Sequence, residues 1–161
     1  MFNEVFSHIH PIMVHFPIVL ILLAAGYDLF LTITKQRISP KQGFLLWAAA
    51  FIFAWIAVGT GPEEDARGNT NLFKYHSTLA DLTTVLAAVV VAFRLFFIIK
   101  RKELLKSLLA VYCVLSIICA IAILSVGYFG GAMVYDQGVG VKMHGKYVNP
   151  PHPGKFGNHG N

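Results

Sequence analysis

Residues 8–34 read "HIHPIMVHFPIVLILLAAGYDLFLTIT", and the reading of this run decides the fold. From Pro11 to Thr34 its only acidic or basic side chain, histidines aside, is Asp28. A bilayer core about 30 Å thick is crossed by roughly 20 helical residues, so the run is long enough to span one. Its first turns are unusual for such a segment, because His8, His10 and His15 are interleaved with Pro11 and Pro17.

Three further apolar stretches follow, at about residues 43–61, 76–99 and 107–134. The 161-residue chain is 56% hydrophobic and 13% charged, whereas a soluble domain carries about 25% charged residues. Four spans leave little chain for anything else. The expected fold is therefore all-α, an integral-membrane antiparallel four-helix bundle over residues 1–135 with a polar tail over 136–161. The leading "MFNEVFS" contains Glu4 and no Lys or Arg, the opposite of a signal peptide's basic start, so the first span reads as a retained helix.

Orientation follows from the loops. "KQRISPKQ" supplies Lys35, Arg37 and Lys41, and "KRKELLK" supplies Lys100, Arg101, Lys102 and Lys106. The loop between spans two and three, "PEEDARGNTNLFKY", is acidic by comparison. The positive-inside rule puts both basic loops in the cytoplasm and both termini outside, in a cytoplasmic (inner) membrane. The net charge of +5 then reflects topology and attraction to the leaflet, and no basic face with interleaved aromatics points to nucleic acid.

That orientation gathers every histidine on the outer half: His8, His10 and His15 before and within span one, His76 opening span three, and His144, His152 and His159 in the tail. Counted at 1.5 Å per residue, His15 and Asp81 lie about a turn and a half below the mouth, with His10 and His76 nearer to it. An ionisable side chain at such depth faces protein or a polar cavity. Asp81 is expected behind His15, orienting its ring as a carboxylate orients a ligand histidine. Pro17 either kinks the first span or begins its regular part after a reentrant cap.

On the cytoplasmic side Asp28 and Arg94 fall at similar depth and are expected to form a structural ion pair. Ser116, Ala120, Gly127 and Gly131 make a stripe of small residues for close helix packing in span four. Cys113 and Cys119, six residues apart on one helix, point to different sides and read as inert thiols. The tail histidines have no recognised ligand spacing, and the tail is expected to be ordered only if it packs on something.

The combination of "HPIMVHFPI", His76 after a short loop and "GYFGGAMVYDQGVGV" resembles the bacterial membrane family catalogued as domain of unknown function 2231. The likeness covers roughly residues 8–141 and its pattern falls on His10, Pro11, His15, Pro17, His76, Gly130, Gly131, Tyr135 and Gly138. It implies a four-helix membrane protein without an established activity, some relatives of which are joined to Rieske or cytochrome c type domains.

Three functions follow as expectations. The first is an electron-transfer module or respiratory-type subunit that holds haem b between His15 and His76, with His10 as substitute. The second is a copper- or zinc-handling protein using His8, His10, His15 and His76 at the outer face. The third is a structural or anchoring subunit of a larger complex that meets a redox or assembly partner on the outer side. No Ser, His and Asp set, phosphate loop or paired carboxylate suggests independent catalytic activity.

Overall fold

The computed structural model describes residues 9–61, 70–144 and 146–149. In them a short helix α1 (Ile9–Met13) leads into α2 (His15–Lys35), followed by α3 (Phe44–Gly59), α4 (Thr70–Ile99) and α5 (Lys106–Tyr135). Pro17 has no amide proton for the carbonyl of Met13, and regular helix is interrupted at Val14. Val14 nevertheless donates to the carbonyl of His10 at 3.0 Å. The described chain thus stays helical through the break.

Ile9–Lys35, Asn71–Ile99 and Lys106–Tyr135 are long and apolar enough to cross a membrane. Of the four expected spans, the second is shorter than the sequence suggested. α3 has 16 residues, about 24 Å at 1.5 Å per residue. Gly43, at φ +73°, starts it late in a left-handed conformation that glycine adopts without strain.

α2 packs on α3, α3 on α4, α4 on α5 and α5 back on α2. The interior is made of Ile21, Ala24, Trp47, Ala50, Ala87, Val90, Tyr112, Cys119 and Ile123. On α3 the seam is Ala50, Ala54 and Ala57, small enough for close approach. The outer wall is equally apolar: Leu45 is 80% exposed, Ile33 70% and Trp55 68%. Helices apolar on every side are what lipid requires and what water would not tolerate.

The two basic loops meet. Leu104 donates to the carbonyl of Ile38 at 3.0 Å and Ile38 to that of Leu104 at 3.3 Å, which sets Lys35, Arg37 and Lys41 at the same end as Lys100, Arg101 and Lys102. The described residues of the tail form a small hairpin. Lys142–Met143 pairs antiparallel with Lys146–Tyr147 as β1 and β2, and Val148 folds back onto Gly138, whose missing Cβ would lie 3.0 Å from Val148 Cγ1.

Candidate functional site

Each helix has one inward face, marked by the charged or polar residue it buries. On α2 the spacing from Asp28 runs back through Ala24, Ile21 and Pro17, all buried, and continues to Val14 and His10. On α4 it runs from Arg94 through Val90, Ala87 and Thr83, all buried, to Ala80 and His76. His10 and His76 consequently line one cavity, together with Pro17, Ala57, Thr83 and Val126.

Each ring is held by a carbonyl of a neighbouring helix. His10 Nδ1 lies 2.9 Å from the carbonyl oxygen of Ala57. That carbonyl lacks its usual helical donor, because the amide of Gly61 turns to Val58 instead, and it is met by the imidazole together with the Thr60 hydroxyl at 3.2 Å. His76 Nδ1 lies 3.1 Å from the carbonyl oxygen of Val126 on α5. A carbonyl only accepts, so each ring donates from Nδ1, and in a neutral ring Nε2 then holds the lone pair.

Glycine makes room for the His76 ring, while the His10 ring would meet a Cβ only in ordinary contact. A Cβ on Gly130 would stand 3.1 Å from His76 Cε1, and one on Gly61 3.6 Å from His10 Cε1. In the expected packing stripe, Ser116 is buried and Ala120 half-buried. A Cβ on Gly127 would meet the tip of Ile18 at 3.9 Å, and one on Gly131 would have nothing within 4 Å. The close approach in α5 is therefore made at Gly130, on the inward face with Cys119, Ile123 and Val126.

The expected partnership of His15 with His76 and Asp81 is not formed. His15 is exposed and bonds back through Nδ1 to the carbonyl of Pro11 at 2.6 Å. Asp81 is exposed on α4, a helix that packs on α3 and α5, and has no hydrogen bond or ion pair among the described residues. The reason is angular: five residues turn a helix by about 140°, so an inward His10 and His76 leave His15 and Asp81 outward. His144 sits exposed at the hairpin turn, while His8, His152 and His159 lie outside the described residues.

The cavity measures about 40 Å³, well under the roughly 300 Å³ at which cofactor pockets begin. The imidazole pair as folded does not admit a haem macrocycle. No group of three or more His, Cys, Asp or Glu able to hold a metal occurs among the described residues; two histidines line the cavity.

Toward the basic end lies a buried polar cluster that sequence reasoning found only in part. Arg94 Nη1 donates to Asp28 Oδ2 at 2.7 Å, and both side chains are almost fully buried. Trp47 Nε1 donates to the same oxygen at 2.7 Å, as does the Tyr112 hydroxyl, which accepts from Arg94. Arg94 also donates to the carbonyls of Pro40 at 3.3 Å and of Gln42. One guanidinium thereby fastens the α2–α3 loop to three helices. Trp47 and Tyr112 were legible as polar-tipped aromatics inside apolar runs, whose N–H and O–H need partners when buried.

Apolar helices with an apolar outer wall, an ion pair inside and paired imidazoles at one end define a multi-span membrane protein. The chain belongs to the family described as "Predicted membrane protein (DUF2231)", whose family model matches residues 7–143. No curated protein matches the chain, and no solved structure does.

Proposed function

We propose that this protein handles a transition-metal ion, copper or zinc, at the cleft between His10 and His76. The observation that supports it is a shared ring contact: each Nδ1 is engaged with a backbone carbonyl, which makes Nε2 the ligand atom of a neutral ring. This is the arrangement in which metal-binding imidazoles are held. Two protein donors leave coordination positions open, which suits transfer better than permanent structural storage. The proposed topology is an antiparallel four-helix bundle in the cytoplasmic membrane, with the histidine end and both termini outside. A redox or metal-carrying partner would then meet the site from the outer side.

On this reading an electron-transfer role falls to a metal ion or to a partner. A second reading has an observation of its own. The same two ring-to-carbonyl bonds join α1 to α3 and α4 to α5, as an anchoring subunit needs for rigidity. Elemental analysis of the purified protein separates the two. Bound copper or zinc that is lost in His76→Asn supports the metal site; a metal-free protein, stable only with both rings, supports the brace.

A further inference from the structure

We infer that this protein associates with a second copy of itself through the outward faces of α2 and α4, His15 of one copy standing against Asp81 of the next. The ion pair between Asp28 and Arg94 fixes the register of these two helices. They run the same way, since His10 and His76, just before α2 and in the first turns of α4, line one cavity. His15 stands thirteen residues before Asp28, and Asp81 thirteen before Arg94. Both therefore sit about 20 Å above the pair, and thirteen steps of about 100° turn each about 140° from the inward direction. Each is exposed. Their level is deep: Phe16, the residue after His15, stacks on Phe53 at 4.7 Å, well inside α3 (Phe44–Gly59).

Lipid leaves both groups without a partner. Acyl chains offer neither donor nor counter-charge, so an ionisable side chain at this depth stands against protein, and an aspartate is too short to reach the headgroups as Lys and Arg do. Asp81 has no hydrogen bond or ion pair among the described residues. His15 engages Nδ1 with the carbonyl of Pro11, which makes Nε2 the atom open to a carboxylate; carrying a proton, it donates. Asp81 also ends a polar stripe, because Lys74, Thr78 and Asp81 are all exposed and follow one face of α4 in steps of four and three. Within one chain the two groups cannot meet, since α2 and α4 are diagonal across the bundle, each packed on α3 and α5. Between copies standing side by side in one orientation they meet at equal depth. Their neighbours then pair as well: Phe16 with Leu82 and Val19 with Val85, all exposed, and Ile12 with Thr78. The complement of the Asp81 face is thus carried by the chain itself. The two faces differ and lie on opposite sides, so the contact is head-to-tail and builds a row or a ring of copies. It is independent of what the cleft of His10 and His76 binds.

The test is cross-linking of the full chain in cell membranes, with Cys113 and Cys119 replaced by Ala. Two differently tagged copies, one carrying Ile12→Cys and the other Thr78→Cys, are co-expressed and treated with a short thiol-to-thiol cross-linker. A mixed dimer joined from position 12 to position 78, with little dimer from either variant expressed alone, is the expected result. Absence of the mixed dimer gives the face to lipid and overturns the proposal, as does an equal yield from Ile12→Cys alone, which would mean a symmetric contact through α2. Adding His15→Asp to the first copy opposes two carboxylates and should cut the mixed dimer about tenfold or more. Adding Asp81→His to the second copy restores the opposite charges and should restore the yield. A yield unchanged by His15→Asp, or a loss that the exchange of charges does not repair, overturns the pairing of His15 with Asp81.

Discussion

Arg94 reaches across the interior from α4 to Asp28 on α2 and donates to Oδ2 at 2.7 Å, while Asp28 Oδ1 has no partner among the described residues. All the donors converge on one oxygen. The pair acts as a rivet at the basic end, where loops carrying the cytoplasmic-type charge are also bridged through Ile38 and Leu104.

Removing one partner leaves a buried charge uncompensated. Asp28→Leu and Arg94→Met should each destabilise the fold by about 3–5 kcal/mol, and the double substitution should recover much of that loss. Thermal denaturation in detergent, followed by circular dichroism, measures this; a double variant as unstable as the sum of the singles would mean that the pair's packing, and not its charge, matters.

Gly130 and Gly131 are neighbours with different surroundings, since a Cβ at the first would press on the His76 ring at 3.1 Å and one at the second meets nothing. Gly130→Ala should displace the His76 ring and reduce metal affinity by about tenfold or more, whereas Gly131→Ala should leave it unchanged. A metal titration of both variants makes the comparison, and equal effects would contradict the placement of His76.

Much of the fold was legible because four apolar runs separated by basic and acidic loops leave few alternatives. Azimuth was harder. Depth along a helix follows from counting residues, and it correctly grouped His10 with His76 at one level. Which of His10 and His15 faces inward depends on rotation, and the signal lay elsewhere: Asp28 and Arg94 mark the inward faces, and steps of three and four residues from them reach His10 and His76 and bypass His15 and Asp81. The β1–β2 hairpin was not legible, because two-residue strands held by main-chain bonds and a turn at Gly138 leave no periodicity in the side chains.

The outward positions give a control. His15→Ala and Asp81→Asn should each keep wild-type metal stoichiometry, because neither side chain lines the cavity. Elemental analysis after dialysis decides it, and loss of metal in either would move the site to the outer wall.

Topology is open to direct labelling. With Cys113 and Cys119 replaced by Ala, Met143→Cys should react with a membrane-impermeant thiol reagent added to intact cells, and Ser39→Cys should react only after the membrane is opened. The positive-inside bias of the two bridged loops dictates this order, and the reverse pattern would turn the histidine end toward the cytoplasm.

The most direct test of the paired-imidazole site is nitrogen-15 NMR of the histidine rings, in protein held in detergent, before and after adding Cu(I). His10 and His76 should show the Nδ1-protonated tautomer, and on addition of the ion their Nε2 resonances should shift while that of His15 stays in place. Protonation at Nε2 in either ring, or a copper-induced shift at His15 without one at His10 and His76, would contradict the account.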